Sequence, residues 1–426
     1  MREINNGIFE TDNSDEIYAI GDIHGDYQCF IHCLVDLCNA CHISGYEKYN
    51  GEYKEIITWN DNNKSIIIFC GDLIDRKRFD HVLDDECSDI FIIETILKLK
   101  SQAISNGGNV LIISGNHEMM NIINPEITNY ISDKNRKLNF EKMTNINFVN
   151  NYIQNSYAWL CIDDILICHG GLCSDYLKYV NGVSHDVKGK NIIKYINDAY
   201  RSFFHNYDYK IKNVSNEYYS LFIEQKEENK QNIFWCRMWG YNKHTLELFT
   251  NTLKTVGCKK MIVAHCPQFL NKTEPKMINF EYNTNNGFNL ARIDLGMSRS
   301  FDYNKPDKFL YYLDYNFNRK MSVLKLHNHN SIISFDMESI ITKKLSCIQY
   351  VLLKYGITKE SWKENNIHSN WLGFEKIKDL SIQCNNGVES YDKNDEQNIM
   401  KCLLYPVFCS NYKNLKSIQE YKNIKN

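Results

Sequence analysis

The chain has 426 residues, of which 43% are hydrophobic, and a formal net charge of −3 at pH 7. This length predicts one large domain with an appendage, or two domains, and the nearly neutral charge argues against a nucleic-acid-binding surface. The sequence has no apolar run of about 18 residues, so we expect no membrane span. The polar N-terminus predicts no secretory signal, and we expect a cytoplasmic protein whose sixteen cysteines are free thiols.

Five short runs rich in Ile or Val are each followed by a polar cluster that contains His, Asp or Asn. The runs are residues 17–20, 65–70, 110–114, 165–168 and 261–264. Runs of this length predict buried strands, and the stretches 27–41 and 88–105 between them predict helices. This alternation predicts an α/β fold, in which ligands bind at the carboxyl ends of strands. The five polar clusters therefore predict one shared site.

Other parts of the chain show weaker patterns. Further strands are predicted at 288–294, 309–315 and 321–326, and the Asn-rich stretches 44–64 and 121–157 are interpreted as insertions. After about Phe335 the pattern changes, and residues 337–355 predict an amphipathic helix. We therefore predict a catalytic domain at 1–335 and a mostly helical C-terminal extension at 336–426, which is a candidate for binding a protein partner.

The polar clusters offer the ligands of a dinuclear metal site. Two divalent ions roughly 3.5–4 Å apart can activate a water and neutralise phosphoryl oxygens. We predict that Asp22 and His24 hold the first ion and that Asp72 bridges both ions. The second ion is predicted to be held by Asn116, His169 and His265. Manganese, iron and zinc all suit this mixed set of ligands, and manganese is our first expectation.

Three neighbouring side chains suggest how a phosphate ester would be cleaved at these ions. The planar guanidinium of Arg76 can grip a phosphate. His117 lies beside a predicted ligand and suits a general acid, and Asp75 can orient it and keep it protonated. The sequence therefore predicts phosphate ester hydrolysis.

At these residues the chain resembles the calcineurin-like metallophosphoesterases, within the phosphoprotein phosphatase superfamily. The resemblance is carried by GDIHGD, GDLIDRK, GNHEMMN, CHGGL and AHCPQ, in that order. The stretches ITWNDNNKS, FWCRMW and ARIDLGMS look most like the Shewanella-like protein phosphatases. The resemblance covers roughly residues 16–330.

This resemblance implies a four-layer fold, with a central β-sandwich flanked by helices on both sides. It implies in-line attack on phosphorus by a bridging hydroxide, with His117 protonating the leaving oxygen. It also implies that Arg76 and Arg237 hold the phosphate, together with Asn116. The aromatic neighbours of Arg237 leave open a simpler reading, in which this arginine is structural.

Two positions depart from the family pattern. Lys77 replaces the glycine expected after Arg76, and Ala264 replaces the glycine expected before the last histidine. If the family glycine at position 77 has a positive φ, Lys77 would strain the backbone and change the direction of the Arg76 side chain. Alternatively, Lys77 would add a positive charge near the substrate. Neither replacement changes a predicted metal ligand.

Several nearby polar residues have structural interpretations. We expect Glu118 to support the site as a buried carboxylate and Asp26 to cap the helix that begins at Tyr27. Asp294 and Ser298 are expected to support the fold.

The string Cys38-x-x-Cys41-His42 raises a competing metal hypothesis. Such a string can mark haem attachment or half of a zinc site, but no second cysteine pair follows at the expected spacing. It lies on the predicted helix with Cys29 and Cys33 at helical spacing. Buried packing is therefore the favoured interpretation.

The sequence leaves three functional hypotheses. The first is a protein phosphatase that removes phosphate from Ser, Thr or Tyr side chains of a phosphoprotein or phosphopeptide. The second is a hydrolase of dinucleoside polyphosphates or other small phosphate esters, since one core can serve both. The third, a non-catalytic scaffold, is disfavoured because every predicted ligand is retained.

Overall fold

The computed structural model describes a mixed α/β chain. The described residues are 1–11, 16–49, 52–76, 87–126, 130, 133–173, 187–205, 207–210, 218–223, 225–226, 230–240, 244–268, 279–281, 289–298, 321–327 and 331–336. Within them the helices are α1 (Tyr27–His32), α2 (Asp89–Ser105), α3 (Asn116–Ile123), α4 (Asp133–Met143), α5 (Ile146–Asn155), α6 (Asn191–Phe204), α7 (Tyr219–Phe222) and α8 (Leu246–Thr255). A π-helical turn, Cys33–Leu37, continues α1.

The strands of the described residues form two large sheets and two hairpins. The strands are β1 (Arg2–Asn5), β2 (Ile8–Glu10), β3 (Ile17–Ile20), β4 (Cys41–Tyr49), β5 (Glu52–Trp59), β6 (Ile66–Phe69), β7 (Asn109–Ile113), β8 (Ser156–Tyr157), β9 (Trp159–Ile162), β10 (Ile165–Cys168), β11 (Gln225–Lys226), β12 (Lys230–Gln231), β13 (Lys260–Val263), β14 (Asn279–Glu281), β15 (Leu290–Arg292), β16 (Ser322–His327) and β17 (Ser331–Asp336). One sheet has the order β17-β16-β3-β6-β7-β8, and the other has the order β1-β2-β9-β10-β13-β15-β14.

The strands that lead into the polar clusters are parallel within each sheet. β6 pairs in parallel with both β3 and β7, and β10 pairs in parallel with β13. All four residues of β3, β6 and β10 are buried, as expected for strands that are covered on both faces. One continuous core contains side chains of both sheets, and α2 contacts β7 whereas α6 contacts β9. This arrangement confirms the predicted α/β fold of helices flanking two packed sheets.

The helix predicted at 27–41 is too long. Helical structure ends at Leu37, and Cys41 already begins β4. Asn39 has a φ of 49°, a left-handed conformation that asparagine tolerates and that stops a helix. The placement of Cys41 on a helix is therefore wrong, but its side chain is buried with that of Cys38, as the packing interpretation requires.

Both predicted insertions contain regular structure. Most of 44–64 lies in the antiparallel β4–β5 hairpin, which ends in the buried Trp59. The backbone N–H of Trp59 donates to Gln102 at 2.9 Å, so the hairpin is attached to α2. Most of 121–157 lies in α3, α4 and α5. Tertiary contacts therefore stabilise segments whose own periodicity is weak.

Several sequence predictions concern the second half of the chain. The strand predicted at 288–294 is shortened to β15, and that predicted at 321–326 is found as β16. The predicted strand 309–315, the predicted helix 337–355 and Lys77 lie outside the described residues. Among the residues that are described, no helix has the length and apolar character needed to cross a membrane.

Candidate active site

The loop after β3 carries Asp22 and His24, both almost completely buried. His24 has a φ of 45°, and its Nδ1 lies 3.1 Å from the carbonyl oxygen of Ile74. A carbonyl oxygen only accepts hydrogen bonds, so Nδ1 carries the proton and Nε2 faces the site. Nε2 lies 3.6 Å from Oδ2 of Asp22. As expected, Asp26 caps α1 by accepting a hydrogen bond from the backbone N–H of Cys29 at 3.1 Å.

Asp72, which follows β6, lies at the centre of the site. Its Oδ2 is 3.8 Å from Nε2 of His24 and 3.8 Å from Nε2 of His117. Its Oδ1 is 3.3 Å from Nε2 of His169 and accepts a hydrogen bond from the backbone N–H of His117 at 3.0 Å. Gly71, with a φ of 91°, makes the turn that brings this carboxylate out of the strand. Asp72 is thus adjacent to histidines from both sheets.

The loop from β7 into α3 carries Asn116, His117 and Glu118. The Glu118 carboxylate is fully buried and accepts hydrogen bonds from the backbone N–H groups of Asp72 (3.0 Å), Leu73 (2.7 Å) and Gly115 (2.8 Å). It therefore joins the loop after β6 to the loop after β7. This is the supporting role expected for Glu118 from the sequence.

His117 is held by a buried hydrogen-bond chain. Its Nδ1 lies 2.5 Å from Oδ2 of Asp75, and Oδ1 of Asp75 accepts a hydrogen bond from Nδ2 of Asn121 at 3.0 Å. Asn121 also donates to the carbonyl oxygen of His117 at 2.9 Å. Asn121 was not predicted as a site residue, although its position one helical turn after His117 places it on the same face of α3.

The second sheet contributes His169 after β10 and His265 after β13. Nδ1 of His169 lies 2.7 Å from the carbonyl oxygen of Cys70, and its Nε2 lies 3.0 Å from Oδ1 of Asn116. The backbone N–H of His265 donates to Oδ1 of Asp22 at 3.3 Å, and the two imidazole rings have centroids 4.9 Å apart. The six side chains predicted as ligands therefore come together at one edge of the two sheets.

The chemistry of these donors fits a pair of metal ions. Two sets of side chains, His24 with Asp72 and His117, and Asp72 with His169 and His265, each have potential ligand atoms within 4.8 Å of one another. Asp72 belongs to both sets, as a bridging ligand would. Nε2 of His265 is buried and has no hydrogen-bond partner in the described part of the chain. Buried polar atoms are rarely left without partners, and coordination would satisfy this nitrogen.

The electrostatics of the site also favour bound cations. Burial raises the pKa of Asp22 well above its usual value, and the nearby carboxylates of Asp294 and Asp72 raise it further. Burial likewise raises the pKa of Asp294 to about 6. Burial opposes ionisation of Asp72, but the charges of His169 and His117 hold the pKa of this carboxyl well below its usual value. Crowded buried carboxylates of this kind are stabilised when a cation offsets their charge.

The arginines predicted to bind phosphate differ in their surroundings. Arg76 is buried, and its Nη1 donates to the hydroxyl of Ser298 at 3.1 Å. That hydroxyl also donates to the carbonyl oxygen of His24 at 3.3 Å, so Ser298 joins Arg76 to the loop after β3. Arg237 is half-buried. It lies close enough to His265 that its charge adds to the effects of burial and of His169 in lowering the pKa of this imidazole.

Ala264 fits without strain. It is buried, its N–H donates to the carbonyl oxygen of His169 at 2.9 Å, and it does not have a positive φ. The positive φ, 66°, belongs to His265 instead. An alanine is therefore tolerated at this position.

Two aromatic rings lie against the histidines. Tyr130 packs edge to face against His117, with ring centroids 5.0 Å apart, and Trp235 packs in the same way against His265 at 5.8 Å. Neither ring was expected at the site. Tyr130 is 36% exposed, whereas His117 is 4% exposed, so this contact joins a partly exposed ring to a buried imidazole.

Comparison with known proteins is consistent with this geometry. A family model for calcineurin-like phosphoesterases matches residues 16–257. Shewanella-like protein phosphatase 1 of Plasmodium berghei (strain Anka) is 26% identical over 169 residues, which are 37% of this chain and 39% of that protein. The chain thus spans about two fifths of the length of this relative.

Solved structures of similar fold include two of cold-active protein tyrosine phosphatases. One is a point mutant, with a TM-score of 0.53, 15% identity and coverage of 78% of this chain and 80% of that chain. The other, from a psychrophilic Shewanella species, has a TM-score of 0.52, 14% identity and coverage of 77% and 82%. Identities this low show a shared fold alone.

Proposed function

This chain belongs to the calcineurin-like phosphoesterase family, and from that premise we propose that it is a metal-dependent protein phosphatase. The observation that carries the proposal is the convergence on Asp72 of Nε2 atoms from His24, His117 and His169, at 3.8, 3.8 and 3.3 Å. Two of these rings have Nδ1 bonded to backbone carbonyls, and the third has Nδ1 bonded to a carboxylate. Rings held in this way present Nε2 towards a common centre.

The proposed ligands divide into two sets that share one carboxylate. Asp22, His24 and Asp72 would hold the first divalent ion. The second would be held by Asp72, Asn116, His169 and His265. Such a pair, when bound, supplies an activated water and neutralises charge on the phosphoryl oxygens. Manganese suits the oxygen and nitrogen donors, and iron or zinc are the other candidates.

The protein's own side chains would then complete the hydrolysis. Asp75 holds Nδ1 of His117, so that Nε2 is directed towards the reacting centre and can give a proton to the leaving oxygen. Arg76, Arg237 and the Nδ2 amide of Asn116 would donate hydrogen bonds to phosphoryl oxygens. The burial of His117 keeps bulk water away from this transfer.

Phosphorylated proteins are the substrates we propose. The relative from Plasmodium is a protein phosphatase by name, and two proteins of similar fold are protein tyrosine phosphatases by name. Phosphoserine, phosphothreonine and phosphotyrosine are all candidates. A non-catalytic scaffold would not require Nε2 of His265 to be buried without a hydrogen-bond partner among the described residues.

The test is turnover by the purified full chain, supplied with Mn²⁺, Fe²⁺ or Zn²⁺. We expect hydrolysis of phosphopeptides but not of diadenosine tetraphosphate. His117→Asn should lower kcat by about 10²- to 10⁴-fold, because it removes the proton donor. His42→Asn is the matched control, since His42 is exposed and bonded to Asn60. Absence of turnover with every metal would overturn the proposal, and cleavage of the dinucleotide alone would replace the substrate class.

A further inference from the structure

Among the described residues, the neighbours of His117 are buried groups and one exposed side chain. Asp75, Asn121, Asp72 and His24 all contact it and are each at most 2% exposed. Tyr130 is the exposed member of the set, at 36%. Its ring stands at 73° to the imidazole, with a centroid distance of 5.0 Å. The tyrosine is thus a partly exposed ring packed on a buried imidazole.

The hydrogen bond to Asp75 fixes the position of Nδ1 but not the tilt of the imidazole plane. A ring held at Nδ1 can still tilt about that bond, which would move Nε2 sideways. Aromatic rings that pack edge to face limit such tilting, because the contact is lost when either ring rotates. The buried His24 makes one such contact, with rings at 86°, and the partly exposed Tyr130 makes another, with rings at 73°.

We propose that Tyr130 is a positioning residue that holds the imidazole of His117 in the orientation needed to protonate the leaving oxygen. The inference rests on the proposed function, because it requires His117 to be the general acid. Tyr130 itself does not transfer a proton in this role. A displacement of about 1 Å in a catalytic group can cost about 10²-fold in rate, so a ring that prevents tilting has a measurable effect.

The effect should depend on the leaving group. An ester of a weakly acidic phenol needs its leaving oxygen protonated, whereas p-nitrophenolate leaves readily without a proton. Tyr130→Ala should therefore lower kcat/KM for phenyl phosphate about tenfold more than for p-nitrophenyl phosphate. The two esters carry rings of similar size, so a lost contact with substrate would reduce both rates equally.

The experiment compares wild type, Tyr130→Ala, Tyr130→Phe, Tyr219→Ala and His117→Asn in the full chain with Mn²⁺. Tyr130→Phe retains the ring and should keep the wild-type ratio of the two rates. Tyr219, on α7, is also 36% exposed and serves as the matched control. Metal content and the unfolding midpoint are measured for every variant, so that a folding defect is recognised.

The outcomes separate this inference from the proposed function. A selective loss in Tyr130→Ala that Phe restores, with a larger selective loss in His117→Asn, supports the inference. Equal losses on both esters, no loss, or a Phe variant that resembles Ala would overturn it while wild-type activity stands. A wild type inert on both esters would instead overturn the proposed function.

Discussion

Nδ1 of His169 donates a hydrogen bond to the carbonyl oxygen of Cys70 across 2.7 Å. Because the acceptor is a carbonyl, the neutral ring carries its proton on Nδ1, and the lone pair of Nε2 faces Asp72 and Asn116. A lone pair directed at a carboxylate oxygen is unfavourable unless a proton or a metal ion lies between them. Burial lowers the pKa of His169, but the charge of Asp72 outweighs it and raises the pKa above its usual value. The residue that follows β6 thus orients the proposed metal ligand that follows β10, in the other sheet.

Removal of this proposed ligand should reduce metal binding. We expect wild-type protein to retain about two divalent ions per chain after dialysis, and His169→Ala to retain about one or fewer. Elemental analysis of the purified proteins measures this directly. His42→Ala should keep the wild-type content, because His42 is exposed on β4. Equal metal content in His169→Ala and wild type would contradict the ligand assignment. Chelation should abolish turnover, and added Mn²⁺ should restore it.

The close approach of the loops after β6 and β7 requires a glycine at position 71. A Cβ there would lie 2.7 Å from Cα of Gly115 and 2.7 Å from Nδ1 of His169, and Gly71 has a φ of 91°. We expect Gly71→Ala to destabilise the metal-free protein by about 4 kcal/mol or more, since backbone atoms would have to move. Urea unfolding in the presence of a chelator measures the loss.

Gly189→Ala is the control for backbone strain alone. Gly189 has a φ of 59°, but a Cβ there would meet nothing within 4 Å. We expect a cost of about 1 kcal/mol, from the left-handed conformation. Equal destabilisation by the two substitutions would mean that steric contact around Gly71 is unimportant.

Strand ends near the site were predictable because an apolar run stops where a polar cluster begins. Residues 17–20 and 165–168 were predicted as strands, and β3 and β10 have these same bounds. The polar residues that follow must leave the sheet, and their local spacing is visible in the chain. Asp72 and His169 were expected in one shared site because both follow apolar runs, but the chain pattern did not indicate that the two runs belong to different sheets.

The structural features that the sequence did not predict depend mainly on tertiary contacts. The β4–β5 hairpin has little periodicity of its own and is held by contacts such as that of Trp59 with Gln102. Tyr130 lies thirteen positions after His117, a spacing with no meaning in a helix or a strand, so their ring contact could not be read from the sequence. Helical structure stops before Asn39, whose φ is 49°, and the apolar pattern that precedes this residue does not predict that conformation.

Glu118 should contribute to stability through its three backbone donors. Glu118→Gln replaces one acceptor oxygen with an NH₂ group that faces an N–H, which leaves at least one buried donor unsatisfied. We expect a loss of about 2–3 kcal/mol in the free energy of unfolding of the metal-free protein. Glu141→Gln removes an exposed carboxylate that pairs with Lys137 and should cost less than about 0.5 kcal/mol. If Glu118→Gln left the free energy of unfolding in urea unchanged, the three backbone amides would be satisfied without the carboxylate.

Lys100 should make stability depend on pH. Its Nζ donates to the carbonyl oxygen of Asn155 at 3.0 Å, and burial, with a smaller effect of the Arg201 charge, lowers the pKa of Lys100 to about 8. The unfolded chain, with a lysine pKa of about 10.4, therefore binds this proton more tightly than the folded protein does. The resulting destabilisation is fully present below about pH 8 and disappears as the pH rises to about 10.4.

Lys100→Met removes this titration. Between about pH 7.5 and pH 10, the stability of wild type should rise by about 2 kcal/mol relative to that of the variant. Urea unfolding at a series of pH values, with chelator present, gives the two curves. Lys98→Met, on the exposed face of the same helix α2, should follow wild type throughout. Parallel curves for Lys100→Met and wild type would mean that Lys100 has the same proton affinity in the folded and unfolded chains.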